Sequence, residues 1–215
     1  MSPRIITCEQ GTPEWHAARA GIPTASEFST VLAKGRGGGE SITRRKYLLT
    51  LLGERLTGEV LEGYTNAHME RGHAMEDDAR RMYAMMRDVD PECVGFMRRD
   101  EYEAGASPDS LIGDVGMLEI KTKLPHLHLD VIESGEVPAE HMTQIQGQLW
   151  IAGREWVDFV SYWPRLELFV KRVYRDEKRI VEIARGVYDF VQELHEREDA
   201  YRARNGMTAR IAIAA

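Results

Sequence analysis

Hydrophobic residues recur three or four positions apart over several long segments, which is the spacing of one face of an α-helix. Long helices are predicted over residues 41–57, 67–87, 138–152 and 176–204. In the second of these, the residues predicted to face inward are Met75, Ala79, Met82 and Met86. Two short helices are predicted nearer the N-terminus, one beginning after Thr12 and the other after Thr24.

The middle of the chain changes to short segments that are typical of β-strands. Strands are predicted over residues 94–98, 106–112, 117–123, 157–163 and 166–174. Residues 113–116 form the loop of a predicted β-hairpin. Helices before, between and after a small central mixed β-sheet predict an α/β or α+β fold. We expect one domain over residues 1–215, with residues 205–215 as a tail.

Composition and charge narrow the class of protein. Hydrophobic residues make up 43% of the chain and charged residues 29%, as in globular proteins. No apolar run reaches the roughly 18–20 residues of a membrane span, and no signal peptide is evident, so we expect a cytoplasmic protein. The net charge of −7 argues against a nucleic-acid-coating protein but leaves room for an enzyme with a local basic groove. Cys8 and Cys93 are too few for a disulfide framework.

The segment with the clearest chemistry contains Asp109, then nine intervening residues, then Glu119 and Lys121. Side chains alternate along a strand, so Glu119 and Lys121 are predicted to share one face. The predicted hairpin brings Asp109, in the partner strand, alongside them. Two carboxylates and one ammonium group would then converge on one patch.

That patch suits hydrolysis of a phosphodiester. Two carboxylates and a main-chain carbonyl, such as that of Ile120, are hard oxygen ligands that can hold Mg²⁺. Lys121 could orient or deprotonate the attacking water, or stabilise charge at the phosphate, and the sequence leaves these roles open. The alternative is that Asp109 and Glu119 are ordinary solvated strand residues, with Lys121 paired to a neighbour.

Further polar residues favour the catalytic interpretation. Glu76 lies at the edge of the apolar stripe of helix 67–87, where it could complete a metal site. Gln144 and Gln148 are one helical turn apart and share a face with His141, so their amides can point into a cleft. Each feature alone is weak evidence, but together they predict one catalytic site.

Motifs across much of the chain resemble the phage lambda exonuclease family, also called the YqaJ-like viral recombinases, within the PD-(D/E)XK nuclease superfamily. The motifs lie in residues 14–27, 72–80, 107–109, 118–121 and 142–146. The resemblance implies a restriction-endonuclease-like core and a processive exonuclease. Such an enzyme degrades one strand of linear duplex DNA from the 5′ end, releasing mononucleotides and leaving a 3′ overhang.

The resemblance also implies site residues and partners. Asp109, Glu119 and the Ile120 carbonyl would hold Mg²⁺, for which Mn²⁺ could substitute, with Glu76 assisting. Lys121 would be catalytic, and Gln144 would belong to the same centre. The family further implies a ring-shaped homotrimer threaded by DNA. It would act with a phage single-strand annealing protein in recombination, in the cytoplasm of a bacterial host.

The resemblance implies a 5′-phosphate pocket, formed by Arg19, Ser26, Ser107 and Gln144. The residues themselves give this some support. Thr24 and Glu27 have the spacing of a capping box, which would place Ser26 in the first helical turn, where free amides attract anions. The Arg19 guanidinium is a fork suited to phosphate. Met69 corresponds to a hydrophobic residue that the family wedges between bases at the duplex end.

Three alternatives remain open from the sequence. A structure-specific or restriction-like endonuclease of the same fold would share the nuclease motifs. A DNA-binding relative without turnover would keep the fold, although such proteins usually lose part of the catalytic set. A zinc protein is suggested by His68, His73, His126 and His128, but their spacing fits no familiar zinc pattern, and solvated or DNA-facing histidines are favoured.

Overall fold

The computed structural model describes residues 2–60 and 67–209, and for residues 67–74 it describes the helix but not the side chains. Seven α-helices lie in these ranges: α1 (Pro13–Arg19), α2 (Phe28–Val31), α3 (Ile42–Thr57), α4 (Ala67–Arg87), α5 (Pro125–Ser134), α6 (Ala139–Ala152) and α7 (Glu177–Arg204). The strands described are β1 (Arg4–Ile6), β2 (Phe96–Arg99), β3 (Ala104–Ala106), β4 (Ser110–Ile112), β5 (Gly116–Thr122), β6 (Trp156–Tyr162) and β7 (Phe169–Tyr174).

The strands form two sheets. One is antiparallel, in the order β1-β2-β3, and the other is mixed, in the order β4-β5-β6-β7. Within the mixed sheet only β5 and β6 are parallel, and the crossover between them contains α5 and α6, as parallel neighbours require. The predicted fold class, a small mixed sheet flanked by helices, is confirmed.

One predicted strand was wrong in its extent. Residues 106–112 do not form a continuous strand, because β3 ends at Ala106 and β4 begins at Ser110 in the other sheet. Pro108 lies in the break, and a proline has no backbone N–H to donate to a ladder. The chain therefore leaves one sheet and enters the next directly before the predicted catalytic hairpin.

Apolar side chains cover the mixed sheet on both faces. On one face, α6 contributes the buried residues Ile145 and Leu149, and α7 contributes the buried residues Ile183 and Val187. On the other face, α4 packs against Leu118, Ile120 and Val160. The strands that carry the site are therefore fixed between two layers of helix.

The inward face of α4 differs from the prediction. Met75 and Ala79 are buried as predicted, but Met82 and Met86 are 39% and 54% exposed. Tyr83 takes the next inward position, and its hydroxyl donates a hydrogen bond to the buried Asp158 carboxylate at 2.7 Å. The inward residues of α4 are therefore Met75, Ala79 and Tyr83, because the side of the helix that carries them packs against the sheet.

Helix ends follow capping chemistry in several places. The side chain of Ser41 accepts from the Arg44 amide at the start of α3, and that of Asp176 accepts from the Arg179 amide at the start of α7. Gly153, with φ of 68°, ends α6. Helix α5 and strand β1 were not predicted. None of the helices in the described part of the chain combines the length and apolar character that crossing a membrane requires.

Candidate active site

The β4–β5 hairpin places Asp109 beside Glu119 and Lys121. The strands pair with Ser110 opposite Leu118. Asp109 lies just before β4 rather than within a strand. Its N–H donates to the Leu118 carbonyl at 3.1 Å, and its Oδ2 accepts from the Ile120 N–H at 2.5 Å. Two hydrogen bonds to the partner strand therefore fix the Asp109 carboxylate next to the Ile120 peptide.

Glu119 is only 2% exposed, and its two oxygens accept separate hydrogen bonds. Oε1 accepts from Gln144 Nε2 and from Lys121 Nζ, both at 2.6 Å, and Oε2 accepts from Gln148 Nε2 at 2.6 Å. Glu119 and Lys121 share one face of β5 as predicted. Helix α6 therefore supplies two amides that hold the carboxylate offered by the strand.

The electrostatics of the patch centre on Asp109. Burial raises the pKa of Asp109 well above its usual value, and repulsion from Glu119 and Glu76 raises it further, against the attraction of Lys121. Burial alone would lower the pKa of Lys121, but the charges of Glu119 and Asp109 outweigh it, so the pKa is raised. Three carboxylates are thus close enough to repel, and a bound cation would relieve that repulsion.

Two of these carboxylates fit a magnesium site. Asp109, Glu119 and the Ile120 carbonyl are oxygen donors, which Mg²⁺ prefers, and water and substrate phosphate commonly supply its remaining ligands. Within residues 75–209 and 2–60, no group of three or more His, Cys, Asp or Glu side chains is arranged to hold a metal ion by itself. The predicted donor set of two carboxylates and a main-chain carbonyl does not require such a group, and the metal role of Glu76 stays a prediction.

Glu76 is tied to the hairpin through Arg80, a residue that the sequence analysis missed. Arg80 Nη2 lies 2.7 Å from Glu76 Oε1, and Arg80 Nε donates to Ser110 Oγ at 2.9 Å. The Ser110 hydroxyl in turn donates to the carbonyl of Asp109 at 2.6 Å. The sequence could have indicated this ion pair, because Glu76 and Arg80 are four positions apart on a predicted helix.

Arg19 lies in a second polar cluster with the predicted phosphate-pocket serines. Arg19 Nη1 and Trp15 Nε1 both donate to Ser107 Oγ, at 3.3 and 2.9 Å. Arg19 Nη2 reaches Thr24 Oγ1 at 3.5 Å, and that oxygen lies 3.2 Å from Ser26 Oγ. Burial lowers the pKa of Arg19. Among the described residues, no Asp or Glu carboxylate forms an ion pair with Arg19, and a partly buried guanidinium of this kind suits an anion.

One detail of the predicted pocket was wrong. Residues 25–27 form a single 3₁₀ turn, and the Thr24 side chain caps no amide, because its hydroxyl contacts Ser26 and Arg19 instead. The support expected from a capped helix N-terminus is therefore absent at Ser26. Gln144 donates to Glu119 in this structure, and its role in the phosphate pocket stays a prediction.

The histidines divide into different environments. His128 is fully buried, with Nδ1 2.7 Å from Ser161 Oγ and Nε2 3.0 Å from the Glu167 carbonyl, so it is neither solvated nor DNA-facing as predicted. His141 stacks on Phe159 at 5.4 Å, and burial, with the charges of nearby lysines, lowers its pKa to about 4. The side chains of His68, Met69 and His73 lie outside the described residues.

A mixed sheet between helices, with two carboxylates and a lysine converging at a hairpin, defines the PD-(D/E)XK class of nuclease fold. Comparison with protein families gives a more specific result. Residues 14–155 match the YqaJ-like viral recombinase domain. The chain therefore belongs to this family, that of phage lambda exonuclease.

Solved structures agree with this assignment. The alkaline exonuclease LHK-Exo from Laribacter hongkongensis is 34% identical, with a TM-score of 0.82 over 91% of this chain and 98% of that one. Its complex with dAMP gives a TM-score of 0.83 over the same shares. A phage related exonuclease from Haemophilus somnus 129PT, 13% identical, has a TM-score of 0.56 over 82% of this chain and 96% of its own, which shows the fold alone. No curated protein gave a match.

Proposed function

We propose that the protein is a Mg²⁺-dependent exodeoxyribonuclease that hydrolyses one strand of linear duplex DNA from a 5′-phosphorylated end. It would release mononucleotides and leave a 3′ overhang. The observation that carries this proposal is the position of Ser107. Its hydroxyl accepts hydrogen bonds from Arg19 and Trp15, and it lies two residues before Asp109, so the proposed anion pocket would adjoin the proposed nuclease centre.

The chain's own residues have distinct roles in this proposal. Mg²⁺, when bound, would activate water and neutralise charge on the phosphate. Asp109 and Glu119 would hold it, with the carbonyl of Ile120. Lys121 forms an ion pair with Glu119 at 2.6 Å, so we assign it to orienting water and stabilising phosphate charge rather than to removing a proton.

The substrate end would be selected by the Arg19 cluster. A terminal phosphate offers several oxygens to a guanidinium and to the hydroxyls of Ser26 and Ser107. LHK-Exo has been crystallised with dAMP, a deoxynucleoside monophosphate and thus the class of product that this reaction would release. Gln144, which donates to Glu119, would help to hold the centre beside the pocket.

The cellular part of the proposal rests on family membership. It comprises a ring-shaped homotrimer, a phage single-strand annealing protein as partner, recombination by annealing, and a location in the bacterial cytoplasm. Met69 would contact the duplex end, and Mn²⁺ would substitute for Mg²⁺. Sedimentation of the purified protein would test for the trimer. A single monomeric species would contradict it.

The catalytic proposal is tested with a linear duplex, a closed circular duplex and the isosteric variant Glu119→Gln. We expect mononucleotides from the linear duplex with Mg²⁺, none with EDTA, and none from the variant. The circle should remain intact. Cleavage of the circle would instead favour an endonuclease of the same fold, and DNA binding without hydrolysis would favour a non-catalytic relative.

A further inference from the structure

Glu119 is held from two sides by glutamines of one helix. Gln144 and Gln148 are one turn apart on α6, and their amides reach different oxygens of the carboxylate, each at 2.6 Å. Lys121 shares Oε1 with Gln144, so the bond from Gln148 to Oε2 is what distinguishes the two ends of the carboxylate. This bond fixes the rotation of the Glu119 carboxylate, in which Oε1 faces Lys121.

The surroundings of Gln148 favour a functional reason for its amide. Gln148 is 1% exposed, and its helix neighbours Ile145, Leu149 and Ile151 are buried and apolar. Within the described part of the chain, no donor reaches Gln148 Oε1. Burying an amide whose carbonyl has no hydrogen-bond partner costs free energy that an apolar side chain of similar size would not cost. The amide is therefore costly to the fold, and its one hydrogen bond goes to Glu119.

Gln146 provides a contrast two positions away. It is also buried, but its Nε2 donates to the Tyr174 carbonyl at 2.9 Å and its Oε1 accepts from the Asp176 N–H at 2.9 Å. Both ends of this amide are satisfied by backbone groups at the junction of β7 and α7. Gln146 thus fastens two elements together, and none of its hydrogen bonds reaches the candidate active site.

We propose that Gln148 is a positioning residue, which orients the Glu119 carboxylate for metal binding and catalysis. The proposal rests on the proposed function, because it takes Glu119 as a metal ligand. Groups that orient a ligand through a hydrogen bond typically contribute about 10–100-fold to metal affinity or activity. Without the Gln148 amide, the carboxylate keeps its two contacts at Oε1 but loses the hydrogen bond at Oε2, so its rotation about the terminal bond is less restricted.

The test compares Gln148→Met with Gln146→Met, which remove amides of the same size from the same helix. Free Mn²⁺ is measured by electron paramagnetic resonance in titrations of each protein, with Glu119→Gln as the reference for loss of the site. We expect Gln148→Met to bind Mn²⁺ about 10-fold or more weakly, because the Glu119 carboxylate loses its hydrogen bond at Oε2. Gln146→Met should lower the melting temperature and leave Mn²⁺ affinity unchanged.

Equal Mn²⁺ affinity in wild type and Gln148→Met would overturn the role of Gln148 while leaving the metal site in place. A wild-type protein that binds no Mn²⁺ would overturn the proposed metal-dependent function instead, so the two failures are distinguishable. If Gln148→Met does not fold, Gln148→Asn carries the test, because its amide is one methylene too short to reach Glu119. Its expected result is the same loss of affinity, and wild-type affinity would be contradictory.

Discussion

The guanidinium carbon of Arg19 lies 3.9 Å from the centre of the Trp15 ring, and both side chains donate to the same hydroxyl, that of Ser107. Stacking on an aromatic ring and a shared acceptor fix the guanidinium plane before any ligand arrives. A group ordered in advance loses less entropy on binding. Arg19 is therefore suited to selecting a substrate end.

Replacing Arg19 with lysine should reduce the preference for a 5′-phosphate. Lysine keeps the charge but loses the planar fork and the stacking, and hydrogen bonds to charged groups contribute about 1.5–3 kcal/mol. The rate ratio for 5′-phosphorylated over 5′-hydroxyl duplexes should fall about 10–100-fold, since about 1.4 kcal/mol is tenfold. The matched control is Arg185→Lys, on an exposed part of α7. An unchanged ratio in Arg19→Lys would contradict the assignment of the pocket.

Replacing Lys121 with methionine should separate catalysis from metal binding. The ammonium contacts Glu119 but is not itself an oxygen ligand. Turnover should fall by about 10²–10³-fold, which is typical when a group that stabilises charge in the transition state is removed. Mn²⁺ affinity should not weaken, because a competing positive charge has been removed. Parallel loss of Mn²⁺ binding would show that Lys121 instead maintains the structure of the site.

Substitution of Gly147 tests how closely α6 packs against α2. A Cβ at this position would lie 2.5 Å from Cδ2 of the buried Phe28 ring. We expect Gly147→Ala to lower the free energy of unfolding by about 1–3 kcal/mol, as overpacking does. Gly53→Ala is the control, because a Cβ there meets nothing within 4 Å, and alanine should stabilise α3 by about 0.5–1 kcal/mol. Urea unfolding measures both, and equal effects would contradict the packing argument.

Glu103 should make stability depend on pH. Burial alone would raise its pKa, but His195, whose Nε2 lies 2.9 Å from Glu103 Oε1, and Arg55, which donates at 2.8 Å, outweigh burial and lower the pKa from its usual 4.5. Because its pKa is lower in the folded state than in the unfolded state, Glu103 stabilises the fold at pH values above its unfolded-state pKa. This contribution is lost as the pH falls through its folded-state pKa. Glu103→Gln should therefore be less stable than wild type at pH 7, by about 1.5–3 kcal/mol. The difference should shrink below pH 4.5, and a constant difference would be the contradicting result.

The sequence predicts the catalytic strand well, because strand alternation alone places Glu119 and Lys121 on one face. It predicts α4 less well. Met82 is as apolar as Met75, and only the position of the sheet decides that Tyr83 lies inward instead. His128 looks like a surface histidine because its partner, Ser161, is 33 residues away. Contacts between distant segments leave no periodic pattern, so the Arg19 cluster could be predicted only through family resemblance.

The dependence of the reaction on the 5′ end is the most direct test of the proposed function. The rate of mononucleotide release is measured for wild-type protein with Mg²⁺ on two linear duplexes, which differ only in a 5′-phosphate or a 5′-hydroxyl on one labelled strand. We expect rapid release from the phosphorylated end and much slower release from the hydroxyl end. Equal rates from both ends, or release that begins at the 3′ end, would contradict the proposed function.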